Sequence, residues 1–452
     1  MTIVNEGDLT SPFVRLRSMI TERNAVVGVV GLGYVGLPLL VAAAGSGFKV
    51  VGFDIDQSKT RKILSGQSYI DAVKPAAIQQ ALRNGKLEAT HQMRRLGECD
   101  VICICVPTPL TRQREPDLSF VKSTAAAIAR TLRPGQLVIL ESTSYPGTTE
   151  DVVRPILEKA GLSCGSDFFL AYSPEREDPG NRSFSTVTIP KIVSGDGEHA
   201  LQAASAFYAS LVQKIVPVQN VRTAEVVKLT ENIFRAVNIG LVNELKVIYE
   251  AMGIDIWQVI EAAKTKPFGY MPFYPGPGLG GHCIPVDPFY LTWKSREYSL
   301  PTRFIELAGE VNASMPYHVV QRLANELDKR LGLAMSNAAV LVVGVAYKKN
   351  VNDTRESPAL KILELLQGNV ADLAYHDPHV PVMKLTRNHP QLANMKSIDL
   401  NADSISAYDA VVVVTDHDAI DYHLIGRHAR LIVDTRNALG FRGISSRYLC
   451  KA

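Results

Sequence analysis

The run Ala25-Val26-Val27-Gly28-Val29-Val30-Gly31-Leu32-Gly33-Tyr34-Val35-Gly36 decides the fold of the first part of this chain. Its first six residues are continuously apolar and rich in β-branched side chains, which is typical of a strand buried in a parallel sheet. A Gly-x-Gly-x-x-Gly pattern follows at once, and residues 37–47 then predict a helix. Gly31, Gly33 and Gly36 permit a tight turn and a close approach to a pyrophosphate, whose charge the helix N-terminus stabilises. The segment therefore predicts a dinucleotide-binding domain.

An acidic residue stands where such a domain binds the ribose of its ligand. A second predicted strand over residues 49–54 ends in Asp54, which lies 18 residues after Gly36. A carboxylate at this position accepts hydrogen bonds from ribose hydroxyls and repels a 2′-phosphate. The sequence therefore favours NAD over NADP as the cofactor.

Two later strand ends are predicted to face the same ligand. Residues 101–106 and 137–140 read as buried strands, and Thr108 and Thr143 follow them closely. Ligands of open α/β sheets bind at the carboxyl ends of the strands, so we expect both threonines to contact the cofactor. The alternative is that their hydroxyls only form turns.

Composition and charge describe a globular protein of two or three domains. The chain has 452 residues, of which 46% are hydrophobic and 21% are charged. Its net charge of +3 is too small to indicate binding to nucleic acid or to an anionic membrane surface. The six cysteines include no Cys-x-x-Cys pair, which argues against a zinc site and a disulfide framework and favours a reducing compartment. No metal is expected.

The apolar character of residues 25–48 also raises the question of a membrane segment. No charged residue occurs in this stretch, and Arg15, Arg17 and Arg23 precede it. The stretch contains six glycines and one proline, however, and a strand with a phosphate-binding turn explains it better than a spanning helix or an export signal. We therefore expect no membrane segment and no export signal.

A long central helix is predicted from Thr223 to about Ala251, since this stretch contains no proline. Lys228, Asn232 and Arg235 fall at i, i+4 and i+7, so they share one face of that helix. Polar groups in one line on a mostly buried helix indicate the wall of a ligand site. A solvated stripe is the alternative.

The sequence Pro275-Gly276-Pro277-Gly278-Leu279-Gly280-Gly281-His282-Cys283-Ile284-Pro285-Val286-Asp287 places one cysteine in a glycine-rich loop. A helix is predicted to start directly after it, with Asp287 as the cap and Pro288 at its first position. The positive end of the helix dipole favours the thiolate of Cys283, which is the nucleophilic form. The four glycines would let a substrate or another backbone approach closely. A tight turn with an incidental buried cysteine is the alternative, and the nucleotide-binding motif upstream favours the functional interpretation.

The strand pattern begins again near residue 330. Predicted strands over residues 338–345, 371–376, 410–415 and 431–435 alternate with helical segments, which indicates a second doubly wound domain. Basic residues at the ends of its strands are typical of a site for a phosphorylated ligand. These residues are Lys348, Lys349, Arg355 and Arg436.

Eight short motifs occur in order along the chain. They are GLGYVGLP at residues 31–38, PTP at 107–109, EST at 141–143, SPER at 173–176, EVVKLTENIFRAVN at 225–238, GPGLGGHCIPVDP at 276–288, TRESPA at 354–359 and DTRN at 434–437. Together they resemble the nucleotide-sugar 6-dehydrogenases, the family of UDP-glucose, UDP-N-acetylglucosamine and UDP-N-acetylmannosamine dehydrogenases. The likeness covers nearly the whole chain.

The patterns and the resemblance predict an α/β fold of two Rossmann-like doubly wound parallel-sheet domains joined by a long-helix central domain. We expect a leader of unknown role over residues 1–22 and an NAD-binding domain over residues 23–215. A central domain with the cysteine loop would span residues 216–328, and a UDP-binding domain would span residues 329–452.

The resemblance also implies roles for individual residues. Cys283 would be the catalytic nucleophile and Lys228 its acid/base partner, while Asn232 would hold a water or an oxyanion and Asp287 would orient the cysteine loop. Contacts to NAD are implied for Tyr34, Val35, Asp54, Lys59, Thr108, Thr143 and Arg355. The sugar site would comprise Glu175, Arg176, Lys228, Asn232, Arg235 and Gly280, and the UDP would be bound by Tyr347, Lys348 and Arg436.

The reaction that the resemblance implies is a four-electron oxidation of the C6 hydroxyl of the sugar. A base removes the hydroxyl proton while a hydride passes to NAD, and the Cys283 thiolate adds to the resulting aldehyde. A second hydride transfer from this thiohemiacetal gives a thioester, which is hydrolysed to the carboxylate. Such enzymes are typically cytoplasmic and at least dimeric through the central helix, and the resemblance implies the same for this protein.

Two departures from the UDP-glucose enzymes favour the N-acetylhexosamine branch. Those enzymes usually have an Asn-Pro-Glu-Phe-Leu-type motif where this chain has Ser173-Pro174-Glu175-Arg176, and a lysine where this chain has Val286. The whole pattern is most similar to the UDP-N-acetylglucosamine 6-dehydrogenases of bacterial surface-polysaccharide synthesis, such as that of O-antigen. UDP-N-acetylmannosamine, UDP-N-acetylgalactosamine and UDP-glucose are the alternative substrates.

Two other classes of protein share parts of this pattern. A two-electron dehydrogenase of the β-hydroxyacid or 6-phosphogluconate kind has the first domain and the long helix, but it needs neither a nucleophilic cysteine nor a second basic α/β domain. A non-catalytic nucleotide-binding protein of the same fold needs no thiol beside Lys228 and Asn232. The four-electron dehydrogenase is therefore the favoured interpretation.

Overall fold

The computed structural model describes residues 11–70, 72–111, 113–176, 187–281, 284–386 and 388–452, which fall into two compact units. The first unit contains the described residues up to Glu231 together with Trp293–Leu300. The second contains the described residues of Asn232–Thr292 and Pro301–Ala452. The three domain ranges given above stay predictions.

An eight-stranded sheet forms the centre of the first unit. Its strands are β1 (Val26–Val30), β2 (Lys49–Phe53), β3 (Leu87–Thr90), β4 (Val101–Ile104), β5 (Leu137–Leu140), β6 (Phe169–Tyr172), β7 (Lys191–Gly195) and β8 (Ile215–Pro217). Their order is β3-β2-β1-β4-β5-β6-β7-β8, and every neighbouring pair is parallel except β6 with β7. The order reverses between β1 and β4, so the loops after these two strands border a ligand-binding crevice.

Helices of the first unit pack against this sheet. They are α1 (Pro12–Thr21), α2 (Gly36–Gly45), α3 (Gln57–Leu64), α4 (Pro75–Arg83), α5 (Ser119–Ala129), α6 (Arg154–Leu157) and α7 (Glu198–Ala209), with shorter turns at Met93–Glu98, Thr148–Val153 and Glu158–Ala160. The segment predicted as a leader thus contains a helix, capped by the Ser11 hydroxyl. Leu16 and Ile20 of α1 are buried in the core, and the Phe13 ring stacks on His199 of α7 at 4.3 Å. Helix α1 therefore belongs to the folded core of this unit.

The second unit contains the greater part of a long helix, α8 (Val221–Ala251), and a five-stranded sheet. The strands β9 (Ala339–Val343), β10 (Asp372–His376), β11 (Ala410–Val413), β12 (Ile432–Asp434) and β13 (Leu449–Lys451) are all parallel, in the order β10-β9-β11-β12-β13. The remaining helices are α9 (Ile256–Ala263), α10 (Asp287–Ser295), α11 (Arg303–Leu331), α12 (Pro358–Leu366), α13 (Ala402–Ser406) and α14 (Tyr422–His428), with short turns at Met335–Asn337, Pro390–Leu392 and Gly440–Arg442. The end of α10 and the short turn Arg296–Tyr298 belong to the first unit. The predicted fold class is confirmed.

Helices α8 and α11 cross closely because α8 has a glycine at the contact. A Cβ on Gly240 would lie 3.1 Å from the Cα of Ala308. Beside this contact the Asn243 amide donates to Asn312 Oδ1 at 2.8 Å, and the Asn312 amide donates to the carbonyl of Ala236 at 3.1 Å.

Among the helices of the described residues, none combines the length and the apolar character that a membrane span requires.

A buried ion pair lies in the core of the first unit. The Lys191 ammonium donates to Glu141 Oε2 at 2.7 Å, and the Tyr208 hydroxyl donates to Oε1 at 2.5 Å. The side chains of Lys191 and Glu141 are only 7% and 1% exposed. Burial raises the pKa of Glu141 above its usual range, and the two donors oppose that effect. Removing one charge of such a pair leaves the other without compensation.

We expect Lys191→Met to lower the free energy of unfolding by about 3–5 kcal/mol, because the Glu141 carboxylate would stay buried without its counter-charge. Lys49→Met is the matched control, since Lys49 pairs with Glu88 at the surface at 3.1 Å and is half exposed. Its loss should change stability by less than about 1 kcal/mol. Urea denaturation followed by circular dichroism compares the two variants, and equal losses would contradict the assignment of Lys191.

Candidate active site

The turn after β1 has the tight geometry that its glycines predict. Gly31 has a φ of +92°, and a Cβ there would lie 2.5 Å from the carbonyl oxygen of Cys105. A Cβ on Gly36 would lie 1.9 Å from the carbonyl oxygen of Gly31. By contrast, a Cβ on Gly33 would have no heavy atom of the described chain within 4 Å. The first and third glycines therefore close the turn, and the second leaves open the space in which a pyrophosphate can approach.

Asp54 links this turn to the end of β2. Its Oδ2 accepts the backbone N–H of Leu32 and the Lys59 ammonium, both at 2.9 Å, and its Oδ1 accepts the N–H of Asp56 at 2.9 Å. A carboxylate has about four acceptor positions, so these three donors leave one for a ribose hydroxyl. The turn and the acid together fit a bound NAD, and they bring the predicted residues Gly31, Gly33, Gly36, Asp54 and Lys59 into one region.

The other predicted NAD contacts of the first unit lie at the same edge of the sheet. The Thr108 hydroxyl donates to the carbonyl of Thr143 at 2.7 Å, so the loops after β4 and β5 meet. Val35 immediately precedes α2, and Tyr34 packs against the core beside it. Tyr69 was not singled out from the sequence, although its hydroxyl donates to the carbonyl of Leu32 at 2.7 Å and so supports the glycine turn.

Arg176 is fixed by two contacts within the first unit. Its Nη2 lies 2.6 Å from Glu231 Oε1 on α8, and its Nη1 donates to the carbonyl of Pro190 at 2.6 Å. Glu175 beside it is partly buried. The family resemblance predicted both residues in the sugar site. The segment that follows them lies outside the described residues.

Lys228 and a neighbouring carboxylate are buried on α8, where they are 4% and 0% exposed. The neighbour is Glu225, which accepts the N–H of Gly147 at 2.6 Å and both the N–H and the hydroxyl of Thr149, at 2.9 and 2.7 Å. Burial raises the pKa of Glu225 to about 7 against the effect of these hydrogen bonds. Glu225 was not predicted as a site residue, although it lies three residues before Lys228 and therefore shares the predicted polar face of α8.

In the second unit, three polar side chains form a hydrogen-bonded chain. The Asn232 amide donates to Asp287 Oδ2 at 2.5 Å, and Arg235 donates to Asn232 Oδ1. Asn232 and Asp287 are buried, and Asp287 begins α10. The structure thus brings together three of the predicted site residues. Cys283, the predicted nucleophile, and His282 lie outside the described residues.

The glycine-rich loop packs against strand-end residues of the second sheet. A Cβ on Gly280 would lie 2.8 Å from the Cβ of Tyr347, and one on Gly281 would lie 2.9 Å from the Tyr347 ring. A Cβ on Gly276 would lie 2.3 Å from Arg436 Nη1. The close approach that the glycines predicted is therefore made, within this unit, by two residues of the predicted UDP site.

Two of the basic residues predicted to bind a ligand in this unit, Arg436 and Arg355, have defined partners. Arg436 donates through Nε to the carbonyl of Val414 at 3.0 Å. Arg355 binds the Asp353 carboxylate, with Nη2 at 2.7 Å from Oδ2, and its carbonyl accepts the N–H of Gly281 at 3.2 Å. Arg355 was predicted to contact NAD, and it lies beside the glycine-rich loop in the second unit.

Three family models match the chain in succession. Residues 25–212 match the NAD binding domain of the UDP-glucose/GDP-mannose dehydrogenase family. Residues 222–314 match the central domain of that family, and residues 341–440 match its UDP binding domain. The NAD binding model covers strands β1 to β7, which include the glycine turn and Asp54.

Three relatives are similar to this chain over nearly its whole length. UDP-N-acetyl-D-mannosamine dehydrogenase of Pyrococcus horikoshii is 36% identical over 92% of this chain and 98% of the relative. UDP-N-acetyl-D-glucosamine 6-dehydrogenase of Pseudomonas aeruginosa is 35% identical over 86% and 90%. NDP-N-acetyl-D-galactosaminuronic acid dehydrogenase of Ralstonia solanacearum is 33% identical over 91% and 95%. A solved structure of UDP-D-ManNAc dehydrogenase from Pyrococcus horikoshii has a TM-score of 0.82 at 36% identity and covers 91% of this chain and 96% of its own.

The raised pKa of Glu225 predicts a pH-dependent contribution to stability. An unfolded glutamate titrates near pH 4.5, so between about pH 4.5 and 7 the folded protein binds more protons than the unfolded chain and its stability falls as pH rises. In Glu225→Gln this effect is absent. The difference in free energy of unfolding, wild type minus variant, should therefore fall by up to about 1.4 kcal/mol per pH unit in that window.

Urea denaturation at several pH values between about 5 and 7 measures this difference. Glu98→Gln is the control, because Arg95 lowers the pKa of the exposed Glu98, which therefore titrates below the window. A difference for Glu225→Gln that is constant across the window would contradict the raised pKa.

Proposed function

The chain belongs to the UDP-glucose/GDP-mannose dehydrogenase family, and on that premise we propose that it oxidises the C6 hydroxyl of UDP-N-acetylglucosamine to the carboxylate. The observation that carries the proposal is the buried hydrogen bond between Asn232 and Asp287. It joins the polar face of α8 to the residue four places after Cys283, in a chain whose relatives include a UDP-N-acetyl-D-glucosamine 6-dehydrogenase. Bacterial surface-polysaccharide synthesis, such as that of O-antigen, is the proposed use of the product.

In this proposal the nucleophile is Cys283. Its thiolate adds to the C6 aldehyde and forms a carbon–sulfur bond, and hydrolysis of the later thioester breaks that bond and returns the thiolate. Bound NAD supplies the hydride acceptor, and two are consumed in the four-electron oxidation. Asp287, at the start of α10, orients the loop that carries Cys283.

Lys228 and Asn232 carry the proton and oxyanion chemistry of the proposal. Lys228 is buried, and it would take the C6 hydroxyl proton and stabilise the negative charge that develops on the oxygen. Asn232 has its amide directed by Asp287 and its carbonyl oxygen by Arg235, so it is held in one orientation. A fixed donor of this kind contributes about 3–4 kcal/mol to stabilising an oxyanion.

The binding residues divide between the two units. In the first unit, NAD is expected on the glycine turn, with the ribose at Asp54 and Lys59 and further contacts from Tyr34, Val35, Thr108 and Thr143. Glu175, Arg176, Arg235 and Gly280 are proposed for the sugar, Tyr347, Lys348 and Arg436 for the UDP, and Arg355 for NAD. The support for the UDP site is the match of residues 341–440 to the family's UDP binding domain.

UDP-N-acetylmannosamine is the second candidate substrate. The relative from Pyrococcus horikoshii with that specificity is 36% identical to this chain, against 35% for the glucosamine enzyme. The two sugars differ only in the configuration at C2, and the loop after Arg176 lies outside the described residues. UDP-N-acetylgalactosamine and UDP-glucose are further alternatives.

A homodimer or larger homo-oligomer is proposed from the surface of α8. Phe234, Leu241 and Ile248 lie along one side of this helix and Met252 follows its end; these four residues are between 46% and 64% exposed. A contiguous apolar stripe of this kind is typical of a protein–protein interface. A cytoplasmic location is also proposed, and the free state of all five cysteines in the described residues supports it.

We expect limiting UDP-N-acetylglucosamine to yield two NADH per sugar, with little NADH from UDP-glucose. Absorbance of NADH at the end of the reaction measures the ratio. UDP-N-acetylmannosamine run in parallel decides between the two leading substrates. One NADH per sugar would mean that the aldehyde is released, which would contradict the thioester role of Cys283.

Cys283→Ser should lower kcat by about a hundredfold or more, because the serine ester formed in place of the thioester is hydrolysed slowly. A burst of NADH before the slow phase is expected in stopped-flow absorbance. Cys164→Ser serves as the control, since Cys164 lies outside every motif and its thiol donates to Asp196 Oδ2 at 3.6 Å. Full turnover by Cys283→Ser would remove this residue from the mechanism.

A further inference from the structure

A histidine and an aspartate form a fully buried pair at the carboxyl edge of the second sheet. Asp377 follows β10 directly, and His417 follows β11. Their side chains have no exposed surface, and His417 Nε2 lies 3.0 Å from Asp377 Oδ2. Neither residue was singled out from the sequence. The carboxyl ends of these strands flank the end of β9, so the pair lies beside the loop that leaves β9.

Both members of the pair bind the backbone of that loop. Asp377 Oδ2 accepts the N–H groups of Val345 and Ala346, at 2.7 and 3.0 Å. His417 Nδ1 accepts the N–H of Asn350 at 2.9 Å. Because a backbone N–H can only donate, Nδ1 is unprotonated and the ring proton is on Nε2, from which it is donated to Asp377. The loop is thus held at residues 345–346 and again at residue 350.

The acceptor capacity of Asp377 is filled. Its Oδ1 accepts two further N–H groups, those of His379 at 2.8 Å and Val380 at 3.1 Å. Burial alone would raise its pKa, but the hydrogen bond from His417 and the backbone donors lower the pKa of Asp377 to about 2. The carboxylate is therefore ionised at neutral pH, with five donors around it.

Other contacts fix the ends of the loop in the same conformation. Gly344 has a φ of +82°, and a Cβ there would lie 2.3 Å from the carbonyl oxygen of Thr415. Asn350 has a φ of +60°, and its side chain exchanges hydrogen bonds with Asp418, donating to Oδ2 at 2.6 Å and accepting the N–H at 2.9 Å. Between these fixed ends lie Tyr347 and Lys348.

We propose that Asp377 and His417 are positioning residues for the substrate nucleotide, because they hold the loop that presents Tyr347 and Lys348 to the UDP. This inference rests on the proposed function, which assigns those two residues to UDP. A loop that is already ordered loses less conformational entropy when it binds, so the fixed loop increases affinity for UDP. Neither residue is among those proposed for the sugar or for NAD, so we expect the main effect of the pair to be on UDP affinity.

Two substitutions of His417 separate this role from general stability. In His417→Gln, the amide nitrogen can take the place of Nε2 and donate to Asp377, but nothing replaces the Nδ1 acceptor and the loop loses its bond at Asn350. In His417→Asn, the amide oxygen can take the place of Nδ1 and accept the Asn350 N–H, while the donor to Asp377 is lost. Each variant therefore keeps one of the two bonds.

Isothermal titration of the full chain with UDP, and separately with NAD, tests the inference. His417→Gln should raise the Kd for UDP about tenfold, the effect of about one lost loop contact, and leave the Kd for NAD unchanged. His417→Asn should stay within about twofold of wild type for both ligands. With UDP-sugar as the substrate, KM should follow the Kd for UDP while kcat changes little. His376→Gln is the control, since the His376 ring hydrogen-bonds the carbonyl of Ile398 at 2.7 Å, outside the loop, and its substitution should leave UDP binding unchanged.

The outcomes separate the inference from the proposed function. If wild type binds UDP and His417→Gln binds it equally well, or if both His417 variants lose affinity equally, the positioning role is wrong and the proposed function stands. If wild type fails to bind UDP, both are wrong. Should His417→Gln fail to fold, Asn350→Ala supplies the test, because it removes the contacts with Asp418 at the loop surface. It should raise the Kd for UDP about threefold, and an unchanged Kd would overturn the inference.

Discussion

Buried carboxylates that accept main-chain N–H groups hold the functional loops of both units. A loop that leaves the end of a parallel strand turns its N–H groups away from the ladder, and these groups need acceptors. Asp54 supplies them to the turn after β1, and Asp377 supplies them to the loop after β9. Glu225 does the same for residues 147 and 149, three positions before Lys228 on α8. The proposed NAD, UDP and proton-transfer sites all rely on loops that are held in this way.

The two sheets use the same arrangement at equivalent places. In each sheet the first strand in sequence lies between the next strand and a later one: β1 lies between β2 and β4, and β9 lies between β10 and β11. A glycine of positive φ follows each first strand, and its missing side chain admits the carbonyl of the opposite loop. An acid after the adjacent strand then binds the turn. The turn chemistry is therefore a property of the parallel sheet, and the residues added to it determine the ligand.

Much of this could be predicted from local sequence. Eight of the thirteen strands in the described residues, α8 and the glycine turn were predicted, because a buried strand, an uninterrupted helix and a Gly-x-Gly-x-x-Gly pattern can each be recognised within about 10–30 residues. The alignment of Lys228, Asn232 and Arg235 followed from helical period alone. The partners of Gly276, Gly280 and Gly281 could not be predicted, since Arg436 and Tyr347 are distant in sequence. Glu225 was missed because an acid on a polar helical face carries no local signal of the backbone groups that it binds.

The number of donors around each acid gives the two units different capacities for a nucleotide. Asp54 receives three donors and keeps one lone-pair position, whereas Asp377 receives five and has none left. The acid of the first sheet therefore has a position for a ribose diol, whereas the acid of the second sheet has none left. The same sheet arrangement thus occurs twice, and only the first of the two sheets has an acid with a position left for the ribose of a dinucleotide. Four of the five donors to Asp377 are main-chain N–H groups, so the backbone alone fills the acid of the second sheet and His417 adds a fifth donor.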